Sequence, residues 1–159
     1  MIAGALTLAP AGLALASAQP SAPQTLQTWR LPLATTDLLR PFTPPTRRYG
    51  RGHRGVDLTA TLGSPLCAPA DGTLTFVGQV NQVATVVIAH GAGYRSTYQS
   101  VTTNLKVGAK VSAGEVFATV SASGHLAGVT CLHWGLLQGS TYLDPLSLLP
   151  RLKTHLLPS

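Results

Sequence analysis

Charge is what this sequence has least of. Only 10% of its 159 residues are charged, and of these just five are acidic. With carboxylates so few, Asp57, four residues after His53, stands out. No apolar run reaches the roughly 20 residues that a membrane-spanning helix needs. The longest, Ile2 to Ala16, is broken by Pro10 and Gly12, so no stable membrane anchor is expected. With only two cysteines, Cys67 and Cys131, the chain can form one internal disulfide at most. Long stretches free of turn formers are missing too, since 16 Gly and 12 Pro are spread along the chain. That content is high for a helical protein and ordinary for short strands joined by tight turns. The length calls for one hydrophobic core and no second one. A single domain of all-β, mainly antiparallel structure is the expectation.

The first eighteen residues carry no charged side chain and end in Ala16-Ser17-Ala18 before Gln19-Pro20. This is the small-residue pattern of a secretory signal peptide cleaved after Ala18, without the customary Lys or Arg ahead of the apolar run. A secreted or cell-wall-associated protein is therefore expected. In an oxidising compartment a Cys67–Cys131 disulfide is permitted, with two buried thiols as the alternative. Residues 19–46 contain Pro20, Pro23, Pro32, Pro41, Pro44 and Pro45, spaced so that no helix of normal length fits. They read as a linker or a wrapping arm, followed by a β domain over 47–150 and a tail over 151–159.

The formal charge of +6 suits an anionic polymer such as a bacterial wall. Arg40, Arg47, Arg48, Arg51 and Arg54 crowd one stretch. Only Phe42 and Tyr49 interleave with them and no binding motif is present, so nucleic acid is set aside as a partner. A solvated basic loop is the plainer reading of that stretch, and a monomer is expected.

From Tyr49 onward, short apolar runs predict strands over Val56–Ala60, Thr73–Gly78, Thr85–His90, Tyr94–Gln99, Val116–Val120 and Leu132–Leu137. Ala70-Asp71-Gly72, Gly91-Ala92-Gly93 and Ser112-Ala113-Gly114 predict tight turns, because glycine takes positive φ without strain. Connections this short have no room for crossover helices, so neighbouring strands run antiparallel. Asp144-Pro145 followed by Leu146, Leu148 and Leu149 predicts an N-cap and one short terminal helix.

Two segments could carry chemistry. His53 and Asp57 fall on one face of a strand or a helix, and zinc accepts both ligand types; a chance surface pair is the more frequent explanation of such spacing. In Cys131-Leu132-His133-Trp134-Gly135, strand alternation puts Cys131 and His133 on one face. His133 could complete a two-His, one-carboxylate set with an open position, as in catalytic zinc sites, or be a buried histidine bonded to a backbone carbonyl.

His53-Arg54-Gly55-Val56-Asp57 resembles the HxGxD signature of the lysostaphin-type zinc metallo-endopeptidases, a family of peptidoglycan hydrolases. Leu66 to Leu74, Val87 to Tyr94, Val107 to Val116 and Leu132-His133-Trp134-Gly135 resemble the family's later segments in the right order, over Tyr49 to Leu149. The resemblance implies zinc held by His53, Asp57 and His133, and action on the cross-link peptides of peptidoglycan. It also implies that two catalytic histidines are replaced. The family's Tyr-x-His-Leu reads Tyr98-Gln99-Ser100-Val101, and the first histidine of its HxH is Cys131. Those rings are thought to activate the zinc-bound water and stabilise the oxyanion, so Ser100 and Cys131 make weak or lost activity part of the expectation. Cys131 could instead be a fourth, thiolate ligand that closes the site. Three readings follow: a zinc endopeptidase, a non-catalytic wall-binding or regulatory module that retains zinc, and a domain in which zinc only stabilises the fold. His125 is a spare histidine near Cys131, or else a solvated loop residue. His90 corresponds to a turn position with a structural role, and His155 to an inert tail.

Overall fold

The computed structural model describes residues 28–34, 37–47, 50–121 and 128–150. The proposed signal peptide, His125 and the whole tail with His155 lie outside these. Eleven strands are present among the described residues. β1 spans Leu38–Arg40, β2 Gly55–Thr59, β3 Pro65–Cys67 and β4 Gly72–Val80. β5 spans Val83–Ala89, β6 Tyr94–Gln99, β7 Val101–Thr102 and β8 Lys110–Val111. β9 is Val116–Val120, β10 Cys131–Gln138 and β11 Thr141–Leu143. Every pairing between them is antiparallel.

An eight-stranded sheet runs β1-β2-β10-β6-β5-β4-β8, with β11 also on β10, and a three-stranded sheet runs β3-β9-β7. The core lies between them. Alternation sends Val56 and Leu58 of β2, Leu132, Trp134 and Leu136 of β10, and Tyr98 of β6 inward, where they meet Leu66, Val101, Phe117 and Val120 of the small sheet. The Tyr98 and Phe117 rings stand 4.8 Å apart across that interface. Residues alternating with these, among them Gly55, Asp57, Cys131, His133 and Gln99, belong to the opposite face of the large sheet.

All six expected strands form, and Tyr94–Gln99 and Val116–Val120 keep the expected bounds. The other five have two or three residues each, too few for alternation to show. Two expectations need correction. Gly72 is not a positive-φ turn residue but opens β4, where a side chain would meet Ile88 Cγ2 at 2.5 Å and Ala89 O at 2.7 Å. The short terminal helix is a single 3₁₀ turn, Pro145–Leu148, capped by the Asp144 carboxylate accepting from Leu146 N–H.

The described part of the proline-rich segment is laid against the domain. Trp29 and Leu33 are buried in the core, and the Trp29 ring packs 4.7 Å from His90 and 5.6 Å from Tyr94. β1 extends the large sheet, and Thr43 exchanges backbone hydrogen bonds of 3.0 and 2.8 Å with His53.

Candidate metal centre

Neighbouring strands bring the three expected ligands together. Asp57 on β2 is in register with His133 on β10, and partners in an antiparallel pair point to the same face. His53 reaches the same point from the bridge that precedes β2. Asp57 Oδ1 lies 2.8 Å from His133 Nδ1 and 3.1 Å from His53 Nε2, and the two ring nitrogens are 3.2 Å apart. Asp57 is fully buried, His53 nearly so, and His133 partly open.

The glycines of the motif have a steric reason. A Cβ on Gly55 would sit 2.4 Å from Trp134 O and 2.9 Å from His133 Cε1, and one on Gly135 would sit 2.5 Å from Thr97 Oγ1. Only glycine at 55 lets β2 lie close to β10 while the His133 ring stands beside Asp57.

Hydrogen-bond chemistry tests whether a cation fits. His53 Nδ1 is 2.7 Å from the Pro41 carbonyl oxygen, which can only accept. Nδ1 therefore carries the proton, and Nε2 presents a lone pair towards Asp57 and His133. Two acceptor atoms, His53 Nε2 and Asp57 Oδ1, converge with His133 Nδ1, which is a third ligand atom in its unprotonated tautomer. A carbonyl fixes the tautomer of the His53 ring, the outer support usual for a metal-bound histidine. Zinc bonds of about 2.0–2.1 Å at tetrahedral angles imply ligand separations of about 3.3 Å, close to those seen. The residues present fit zinc.

Cys131 lies two residues along β10 from His133, about 7 Å by strand rise, and is fully buried. The cluster of mutually close ligand atoms found among the described residues consists of His53, Asp57 and His133, without Cys131. No disulfide joins it to Cys67, which is on β3 of the other sheet. Ser100 is the corner between β6 of the large sheet and β7 of the small one. Its backbone is left-handed, with φ 65°, and its buried Oγ has no hydrogen-bond partner among the described residues.

His90 is apart from this centre, as its assignment to a turn implied. It precedes the Gly91–Gly93 turn, where Ala92 and Gly93 take positive φ. Its Nδ1 donates to Asp71 O at 2.8 Å, and its Nε2 accepts from Ser96 Oγ at 2.7 Å, which in turn accepts from Tyr98 Oη at 2.8 Å. Burial lowers the His90 pKa despite the opposing effect of the Asp71 carbonyl, and burial raises that of Tyr98. Residue patterns gave no signal for Pro41 and Thr43, which hold His53 only through backbone atoms.

The chain matches the model of peptidase family M23 over residues 51–145 and belongs to that family. It is 35% identical over 127 residues to an uncharacterised protein of Mycobacterium tuberculosis, covering 76% of this chain and 51% of that protein. It is 32% identical over 101 residues to the DD-carboxypeptidase/endopeptidase Mpg of Neisseria meningitidis, covering 61% of this chain and 24% of Mpg. A zinc-containing peptidase from Vibrio cholerae superposes with a TM-score of 0.65 at 25% identity, over 75% of this chain and 39% of that one. The chain thus spans about half the length of the mycobacterial relative and less of the others.

Proposed function

We propose that this domain holds zinc through His53, Asp57 and His133 and acts on the cross-link peptides of bacterial peptidoglycan, at a hydrolytic rate limited by Ser100 and Cys131. The observation that carries this reading is the convergence of His53 Nε2, His133 Nδ1 and Asp57 Oδ1 within 3.2 Å of one another. When bound, zinc polarises a carbonyl and lowers the pKa of a coordinated water to about 7. The chain's own part is to fix the ligand set. Pro41 O orients His53, Gly55 leaves room for the His133 ring, and β2 and β10 hold Asp57 and His133 in register. Similarity to a named DD-carboxypeptidase/endopeptidase supports a wall-peptide substrate, as does the positive charge of the chain. The apolar opening and Ala16-Ser17-Ala18 support export to the compartment where that substrate lies.

A serine hydroxyl and a thiol replace the two imidazoles that the family resemblance places beside the metal. A positioned acid or base contributes about 10²–10⁴ in rate, and that is the scale of the expected deficit. Those two replacements favour a second reading, a wall-binding or regulatory module that retains zinc and does not cut. Zinc content and peptide release from purified peptidoglycan, measured side by side, separate the two. Restoring both rings, Ser100→His with Cys131→His, is expected to raise release by about 10² or more; histidine is among the residues that tolerate the left-handed backbone at 100. If the double variant binds zinc and still leaves peptidoglycan uncut, the non-cutting module is the better account.

A further inference from the structure

The strand register places one more polar side chain beside the metal ligands. A single row crosses five strands of the large sheet: Asp57 on β2, His133 on β10, Gln99 on β6, Thr85 on β5 and Gly78 on β4. Paired residues share a face and stand about 4.5–5.5 Å apart at Cα, so Gln99 is the immediate neighbour of His133 on the side away from Asp57. On its far side the Thr85 hydroxyl is already committed, donating to Val83 O at 2.9 Å. Gly78 offers no side chain. Gln99 is half-buried, and among the described residues its amide makes no hydrogen bond.

A primary amide is a fixed dipole with two N–H donors, and it does not titrate near neutral pH. It cannot replace a histidine as general base. It can donate to a carbonyl oxygen as negative charge develops there, a role that Asn and Gln side chains fill in oxyanion holes. The next row on the same face, Gly55, Gly135, Thr97 and Val87, contains two glycines beside the ligand pair. The His133 ring stands over Gly55 and the Thr97 hydroxyl over Gly135, so this row is filled by its own neighbours and carries no side-chain amide that competes with Gln99.

We propose that Gln99 is the substrate-carbonyl donor of this site, aligned with the metal ligands by its register with His133, and that it supplies oxyanion stabilisation where the imidazole expected at position 100 is missing. This rests on the zinc reading above.

The test compares wild type with Gln99→Leu, which keeps the volume and removes the amide, using a phosphinate pseudopeptide built on D-alanine and the amide of the same sequence. Binding of each is measured by calorimetry, and zinc by elemental analysis. A phosphinate oxygen mimics the charged tetrahedral state, whereas the amide mimics the ground state. The expected result is that Gln99→Leu keeps its zinc, binds the phosphinate about 10²–10³ more weakly, and binds the amide within about threefold of wild type. Equal phosphinate binding by the two zinc-loaded proteins overturns the role of Gln99 and leaves the metal reading standing. So does a zinc-loaded wild type with no preference for the phosphinate. A wild type that takes up no zinc overturns both.

Discussion

Two histidines of this domain, His53 and His90, begin alike. Each donates Nδ1–H to a backbone carbonyl, of Pro41 at 2.7 Å and Asp71 at 2.8 Å. They differ in what meets Nε2. At His90 it is the hydroxyl of Ser96, itself bonded by Tyr98, so every partner has a proton to give or take and the neutral ring is satisfied. At His53 it is a carboxylate oxygen and a second imidazole, a donor set that a cation would hold together. Burial and tautomer are alike in the two places. The partner's chemistry makes one a structural pin and the other a candidate ligand.

The largest effect that could break this contrast is removal of the metal. A ligand bound only by the native state stabilises it by RT ln(1 + [L]/Kd), about 4 kcal/mol at a thousandfold excess over Kd. Chelation is expected to lower the wild-type unfolding free energy by an amount of this order in zinc-replete buffer. Asp57→Ala and His133→Ala should each contain no stoichiometric zinc and show no response to the chelator. Calorimetric melting with and without chelator checks this, and a wild type indifferent to it would erase the distinction between His53 and His90.

The other side of the comparison is tested by Ser96→Ala, a smaller effect. Removing the hydroxyl leaves His90 Nε2 and the Tyr98 hydroxyl buried without that partner, which costs about 1–3 kcal/mol. Zinc content should stay at the wild-type level, because none of the three ligands touches Ser96. Denaturant unfolding supplies the number. A loss of zinc in this variant would mean that the two clusters are not independent.

Much of this contrast could be read from residues, and some could not. His53, Asp57 and His133 stood out as a set because they fall on the positions of the family's motifs; spacing and alternation alone left a chance pair and a buried histidine open. The six longer strands were visible because each is long enough to show a period. Pro41, Thr43 and Asp71 act through carbonyl and amide groups that every residue possesses, so no side chain announced them. Gln99 escaped notice because its position depends on which strand pairs with β10, and register is a tertiary fact. Gly72 was misread because a sequence does not distinguish a glycine required for positive φ from one required for close packing. Ser100 and Cys131 stood out only against the family pattern; on their own, a serine and a buried cysteine carry no such message.

The smallest effect concerns acidity and isolates His90. Burial lowers its pKa below the ordinary 6.5, so between 6.5 and that lower value the unfolded chain binds a proton that the folded chain does not. Stability then rises with pH across this window. The neutral ring contributes in full above 6.5, and that contribution declines as pH falls below 6.5, until His90 is protonated in the fold as well. One such group gives a slope of at most about 1.4 kcal/mol per pH unit. His90→Gln keeps hydrogen-bonding capacity and removes the titration. Zinc loss on acidification, which protonation of metal ligands brings about in general, is common to both proteins, so the comparison is made on chelated samples. The expected outcome is that the His90→Gln unfolding free energy falls less steeply between pH 7 and about pH 5 than that of wild type, by no more than one proton's worth. Parallel pH profiles would show that Ser96 and Asp71 hold His90 equally well in both charge states, and the structural pin would then owe nothing to its neutral tautomer.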